Sequence, residues 1–552
     1  SAYLNDGKSG YLLPGETPEI RFELITNTIQ EVLPKNPTFK EEFLKYLDIG
    51  MYALSTPFIT SVGRKSALPF SCSNQHIGDS MGEIAFAKGE SAIMTKVGKG
   101  CSGYMDLRGA GAAITNSGIS SPGSLYFAEG FNQIIKEVNQ GVRRGYMALY
   151  WDIDHDDIIN VLDIQRDNNP LDKINYGVCI GQDFLDKAAN GDEKAREVLL
   201  KVHESRFLTG LPYIFFKDNV NNAKPDVYKN NDFTIKSSNL CTEILEVSDD
   251  KYSFVCDIAA MNAIFIDHPE FGRAVEVLAQ ALDGLHTIYQ RTLLSWKHSD
   301  KKEDNYKWFF LQKAYKSSHD FRDIGVGCTG YHTLLQNNNV AFESMDAKYI
   351  NAKLFKTIQE HTLKSSQELA LLYGEPKMLE GYGRRNCLMN AIAPNTSSAF
   401  ILGQVSQGIE PIFSNYYIKD IAGGKHVIKN PNLEKLLEEL GINNRSVWNS
   451  IAQNDGSVSH LEELNEHQKN VFKTFQEIAP MEILIQAAQR QQFIDQSQSL
   501  NLMINQKVGY KEVNALLYKA AELGIKTLYY QHGTNAAQQL RKSLLECDSC
   551  AG

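Results

Sequence analysis

The chain has 552 residues, 43% of them hydrophobic and 10% aromatic, enough to bury a sizeable core and to exclude a disordered or fibrous protein. Its 66 acidic against 56 basic residues give a net charge of −10, which disfavours tracking a nucleic-acid backbone and leaves room only for local basic pockets that hold small anions. Nine thinly spread cysteines exclude a secreted disulfide framework. With no apolar run near the roughly 18 to 20 residues of a membrane helix, and no basic-then-apolar leader, the expected setting is soluble, reduced and cytoplasmic.

Residues 1–58 read as a helical N-terminal segment: "TPEIRFELITNTIQEVLP" and "FKEEFLKYLDIGMYAL" carry helical spacing, broken at Pro34 and Pro37. The body is expected over 59–530. From Leu68 to Gly145 short apolar runs are interrupted by glycine, and "GKGCSGYMDLRGAGAAITNSGISSPGSLYF" predicts turns and mobile loops. Between Tyr146 and Ile264, strand-like "YMALYWDI", "YGVCIG" and "YSFVCDIAAM" alternate with helical runs such as "GDEKAREVLLKVHESRF", the pattern of an α/β architecture. Helices dominate Gly272–Trp308 and Ser344–Tyr373. "NCLMNAIAP" predicts a buried strand feeding a helix, and Pro431–Gln476 reads as acidic, polar and helical. The tail over 531–552, "QHGTNAAQQLRKSLLECDSCAG", contains no Phe, Tyr or Trp and is expected to be mobile.

Several short stretches carry chemistry-bearing residues. In "SSNLCTEILEV", an extended backbone would put Asn239, Cys241 and Glu243 on one face: an amide to orient a hydroxyl, a sulfur to act as nucleophile or one-electron centre, and a carboxylate to move a proton. Taken alone, a polar loop with one buried cysteine explains the stretch as well. Cys72, in "LPFSCSNQHIGDS", and Cys256, in "SFVCDIAAMNAIF", could be core residues or a two-electron dithiol, and sequence separation does not decide between them. The terminal "ECDSCAG" reads as an exchangeable Cys547/Cys550 disulfide in preference to half a zinc site, because no second CxxC or Cys/His pair completes one. "APNTSSAFILG" places Thr396, Ser397 and Ser398 at a helix start, suited to an anion or simply to capping. "NQGVRRGYM" is a glycine-flanked loop with two arginines, and Tyr529 and Tyr530 stand side by side in "IKTLYYQHG".

Taken in order, "FSC…GDS", "NQGVRRG", "SNLCTEI", "VCDIAAMN", "PNTSSA…GIEP", "TLYYQ" and the terminal CxxC resemble the catalytic (large, alpha) subunit of class I ribonucleotide reductases, from about residue 60 onward. The resemblance implies a ten-stranded α/β barrel whose central finger loop carries the reactive cysteine. It implies reduction of ribonucleoside diphosphates, with Cys241 as the thiyl radical, Glu243 as base at the 3′ hydroxyl and Asn239 on the substrate. Cys72 and Cys256 would be the reducing dithiol. Cys547 and Cys550 would be a shuttle re-reduced by thioredoxin or glutaredoxin. Tyr529 and Tyr530 would relay the radical from a metal-containing small (beta) subunit, and Thr396, Ser397 and Ser398 would hold the diphosphate. Asn395 stands where some relatives have glutamate and is left out of that set. Asp79, Ser80 and Arg108 would bind a dNTP or ATP effector with magnesium, under a loop from Thr115 to Gly123, and Gln140–Gly145 would pass effector identity to the substrate base. A homodimer is implied. An N-terminal nucleotide-binding activity domain, the ATP cone, is expected to be absent, and no metal site, nucleic acid or membrane is expected.

Two alternatives remain at this point. A cobalamin-dependent reductase shares the barrel and cysteines, but paired tyrosines favour a partner subunit; a glycyl-radical enzyme lacks its C-terminal motif here and fits less well. From another class, the chain could be a nucleotide-binding regulator with a redox-labile tail and no turnover.

Overall fold

The computed structural model describes residues 4–5, 10–64, 68–115, 118–138, 145–164, 169–421, 424–505 and 508–533. Its strands are β1 (Tyr52–Leu54), β2 (Cys72–Ile77), β3 (Gly100–Met105), β4 (Met147–Asp152), β5 (Ile174–Ile180), β6 (Tyr213–Phe216), β7 (Phe254–Cys256), β8 (Ile258–Asn262), β9 (Gly325–Thr329), β10 (Tyr416–Ile421), β11 (Gly424–Lys429), β12 (Leu502–Ile504), β13 (Thr527–Leu528) and β14 (Gln531–Gly533). Seven of them form one sheet in the order β13-β6-β5-β4-β3-β2-β7. Strands β2 to β6 are parallel and both edges antiparallel. Helices connect the parallel strands, which is why β4 and β5 read as almost unbroken apolar runs: both faces are covered.

A separate three-stranded sheet has the order β1-β8-β9, with β1 drawn from the N-terminal segment. The two sheets meet at Asp257, where "YSFVCDIAAM", read from sequence as one run, is split into β7 and β8. Consecutive carbonyls serve different sheets there: Cys256 O accepts from Ser71 N (2.9 Å) and Asp257 O accepts from Gly325 N (2.7 Å).

Three expectations need correction. The Leu68–Gly145 stretch is not mainly turns; it holds β2, β3 and the helices Met81–Lys96 and Ser124–Glu137, with an irregular connection from Asp106 to Gly123. Gly89, which looks like a helix breaker, sits in the middle of the first helix because a Cβ there would lie 2.1 Å from the Phe310 ring of the packed helix Lys302–Asp320. "NCLMNAIAP" is buried but not laddered: one isolated bridge joins Ile392 to Gln498, Ile324 N just before β9 donates to Leu388 O, and Val326 N of β9 donates to Met389 O, each at 2.9 Å. Gln531–Gly533, placed by sequence at the start of the tail, forms β14 through parallel pairing with β12.

The expected N-terminal helices are Pro18–Gln30, capped by Thr17, and Phe39–Ile49, ended by Gly50 at φ 80°. Tyr52–Leu54, at the end of the second helical stretch, is instead β1, antiparallel to β8. Both helices share one continuous core with the main sheet, through Ile25, Ile29, Phe39 and Phe43. Residues Pro431–Gln476 carry the expected helices around a small separate core built on Leu433, Leu437, Trp448 and Phe472. Among the described residues no helix is long and apolar enough to cross a membrane.

Gly327 in β9 admits the extended segment that leads to the hydroxyl-rich turn at 396–398, since a Cβ on it would stand 2.4 Å from Ala391 O. Gly327→Ala is expected to destabilise the fold by about 1–3 kcal/mol as the backbones are forced apart, measured as a lower urea midpoint at unchanged m-value.

Candidate active site

The segment 237–248 crosses the interior of the curled sheet as an irregular loop, and the sheet supplies its hydrogen bonds. Asn74 of β2 donates to Ser238 O (2.9 Å), Tyr150 of β4 donates its hydroxyl to Asn239 O (2.7 Å), and Thr527 of β13 donates to Thr242 O (2.9 Å). The same-face arrangement expected of an extended 239–243 is replaced by a turn. Asn239 organises it: its carbonyl accepts from Thr242 N (3.3 Å) and its Oδ1 from Ile244 N (3.1 Å), with Thr242 in the left-handed region at φ 70°. The turn brings Cys241 to the tip, half-buried, and folds Glu243 back beside it.

Cys241, Glu243, Cys72, Ser397 and Ser398 line one pocket, open to solvent, with Ser55, Thr56, Ser71 and Asn395. The Ser499 hydroxyl sits 2.5 Å from Cys241 O and 3.1 Å from Glu243 Oε2. Burial raises the Glu243 carboxyl to about 7 against the hydrogen bonds that favour its ionised form, so it can take or hold a proton near neutrality. Asn239 is fully buried behind the pocket, and its amide donates to Cys72 Sγ at 3.2 Å. Cys256 is also fully buried, directly opposite Cys72 in the antiparallel β2/β7 register. Facing antiparallel residues hold their Cα atoms about 4.5–5.5 Å apart, within the reach of a disulfide. Burial, then the Cys72 contact, pushes the Cys256 thiol well up.

The hydroxyl-rich turn is the start of the helix Thr396–Ile401, and its side chains differ in orientation. Ser397 lies 3.4 Å from Thr56 at the start of the helix Thr56–Ser61, so two helix N-termini converge on the pocket. Thr396 does not line the pocket; it donates to Gln407 Oε1 at 2.9 Å.

Tyr529 and Tyr530 lie with centroids 4.4 Å apart and ring planes inclined at 58°, and Tyr213 of β6 completes a triangle at 4.8 and 5.2 Å. Asn175 Nδ2 donates to both Tyr213 Oη (2.9 Å) and Tyr530 Oη (3.1 Å). Sequence reasoning missed Tyr213, Tyr150, Asn175, Thr56 and Ser499, each of which reads locally as core or loop.

Asp79, Ser80 and Arg108 come together at the ends of β2 and β3. Arg108 Nε donates to Asp79 Oδ2 (2.6 Å), and Ser80 caps the helix Met81–Lys96 by accepting from Glu83 N (3.2 Å). Ser120, in the loop from Thr115 to Gly123, bridges Ala113 just before that loop, while residues 116 and 117 lie outside the described residues. Cys547, Cys550 and residues 139–144 of the arginine loop also lie outside them. No cluster of three or more metal-ligating side chains occurs among the described residues.

The family described as ribonucleotide reductase, barrel domain, matches residues 70–194, 187–379 and 376–531. The chain is 30% identical over 550 residues to a putative ribonucleoside-diphosphate reductase large subunit of Frog virus 3, covering 94% of this chain and 93% of that one. It is 28% identical over 601 residues to the ribonucleoside-diphosphate reductase large subunit of Invertebrate iridescent virus 3, covering 95% and 92%. Among solved structures it is similar to the class Id ribonucleotide reductase alpha subunit of Actinobacillus ureae, with TM-score 0.88, 41% identity and coverage of 97% and 98%.

The cross-strand register makes a chemical prediction independent of any substrate. Mild diamide oxidation is expected to close a Cys72–Cys256 disulfide, detected as one cross-linked peptide by mass spectrometry, and Cys256→Ser is expected to give none.

Proposed function

Since the chain belongs to the ribonucleotide reductase family, as a catalytic large subunit that makes deoxyribonucleotides by oxidoreduction, we propose how its own residues divide that reaction. One observation carries the reading: the half-exposed Cys241, the Glu243 carboxyl and Cys72 face a single pocket whose far wall is Ser397 and Ser398, while Cys256 backs Cys72 in register.

A ribonucleoside diphosphate enters with its phosphates toward Ser397, Ser398 and the two helix starts, and with its sugar over Cys241. Thr396 supports the same turn. An oxidising equivalent supplied by a partner subunit passes through Tyr530 and Tyr529 to Cys241, whose thiyl radical removes the 3′ hydrogen. Glu243, near neutral in its titration, takes the 3′ hydroxyl proton. Asn239 holds the Cys72 sulfur and the turn, and takes the substrate hydroxyl on binding. The 2′ hydroxyl leaves as water, Cys72 and Cys256 supply two hydrogens and two electrons and finish as a disulfide, and Cys241 regains its hydrogen on return of the 3′ position. Cys547 and Cys550 then take over the disulfide by exchange and are re-reduced by thioredoxin or glutaredoxin.

The remaining assignments belong to the same reading. The radical partner is a metal-containing small subunit. Asp79, Ser80 and Arg108 receive a dNTP or ATP effector with magnesium, and the loops over 115–123 and 140–145 carry its identity to the substrate site as a coupling free energy. The working form is a cytoplasmic homodimer.

The test is turnover: with a metal-bearing radical subunit, a nucleoside diphosphate and dithiothreitol, the chain is expected to yield the deoxynucleotide, and Cys241→Ala to yield none while still binding effector. Turnover dependent on adenosylcobalamin alone would overturn the partner reading. For Glu243, the single-turnover rate of prereduced enzyme is expected to rise with pH through about 7, because the carboxyl must be ionised to act as base. Glu243→Gln is expected to remove that limb and slow the step about 10²- to 10⁴-fold.

A further inference from the structure

A buried acid beside the Cys72–Cys256 pair takes no part in the steps above. The chain after Glu243 crosses the β2/β7 pair, and Ile244 packs against Cys72, Phe254 and Cys256. Four residues on, the Ser248 hydroxyl donates to Asn74 O (3.0 Å) and accepts from Phe254 N (3.2 Å). Those contacts sit at the two ends of the register from Cys72↔Cys256 to Asn74↔Phe254. Glu246 stands midway between Ile244 and Ser248, on the segment that crosses the cysteine pair, close enough for Cys72 and Cys256 to feel its charge.

Glu246 is 2% exposed, and its Oε1 has no hydrogen-bond partner among the described residues. Burial first, then Asp323, the Cys72 thiol, Asp257 and Asp495, hold its proton far above the usual carboxyl range. No lysine or arginine is among those groups. Asp257, next to Cys256 in sequence, turns to the other side of the strand, 3.7 Å from His286. The two cysteines are unequal: Cys72 lines the pocket and Cys256 does not, so an incoming thiolate meets Cys72 and the Cys256 sulfur leaves into a dry interior.

We propose that Glu246 is the proton donor to the Cys256 sulfur when the Cys72–Cys256 disulfide is reopened. The inference rests on reading these cysteines as the reducing pair. An external dithiol thiolate attacks Cys72 Sγ, forming a mixed disulfide and breaking the Cys72–Cys256 bond. The electron pair goes to Cys256 Sγ, which takes the Glu246 proton and becomes a thiol. The second external thiol, as thiolate, closes on its own sulfur partner and releases Cys72, which is protonated from the pocket. Glu246 regains its proton from the same source, and the external dithiol ends as a disulfide with no net change in protons.

The experiment follows re-reduction without substrate or radical subunit, which separates it from the turnover reading. Full-length chain is oxidised with diamide, the Cys72–Cys256 peptide is confirmed by mass spectrometry, and reopening by dithiothreitol is timed by thiol counting. Failure to form that disulfide would count against the dithiol reading itself. With the disulfide formed, Glu246→Gln is expected to slow reopening at least about 10-fold per thiolate, with Glu246→Asp recovering part of the rate. Wild-type reopening is expected to show a solvent deuterium isotope effect above unity that the Gln variant lacks. Wild-type speed in Glu246→Gln, equal slowing in both variants, or no isotope effect in the wild type would each overturn the proposal.

Discussion

A polar loop can lie inside a protein only where the interior makes the hydrogen bonds that water would otherwise make. The segment 237–248 meets that constraint through side chains projected from strands and segments far apart in sequence: Asn74, Tyr150, Tyr228, Gln496, Ser499 and Thr527. Tyr150 and Thr527 stand in short strands, Tyr228 in a helix, and Asn74, Gln496 and Ser499 in polar runs. Removing any one would strand a buried carbonyl or amide, at a cost of about 1–3 kcal/mol. The sheet is curled around the loop, and the loop in turn gives these buried polar groups their partners.

Under the proposed division of the reaction, the same arrangement separates two kinds of sulfur chemistry. Cys241 is held on a turn at the pocket, whereas Cys72 and Cys256 are fixed by a backbone ladder that sets their spacing whatever their oxidation state. A one-electron centre needs access and no disulfide partner; a two-electron pair needs a partner and little access. One loop crossing one strand pair satisfies both, because Asn239 touches Cys72 while its turn lifts Cys241 away.

Legibility in the sequence followed the range of the interaction. Strands β4 and β5 and the helix Glu193–Thr209 were readable because burial on both faces, or helical spacing, is written locally. The helix Met81–Lys96 was not, because Gly89 answers to Phe310 on a distant helix. The local motif placed the amide, thiol and carboxylate together, but through the wrong geometry: the turn depends on Asn239 and on Thr527, 285 positions away. The family resemblance named Cys72 with Cys256 and Tyr529 with Tyr530, yet only the fold shows why they meet, and neither route pointed to Tyr213 or Glu246.

Thr527 stands two residues before Tyr529, and its hydroxyl holds the carbonyl of Thr242, the residue after Cys241. The short strand that presents the tyrosines and the tip that presents the thiol are therefore bolted to each other. A displacement of one is passed to the other through that hydrogen bond, so a single threonine couples the position of the tyrosine segment to that of the thiol tip.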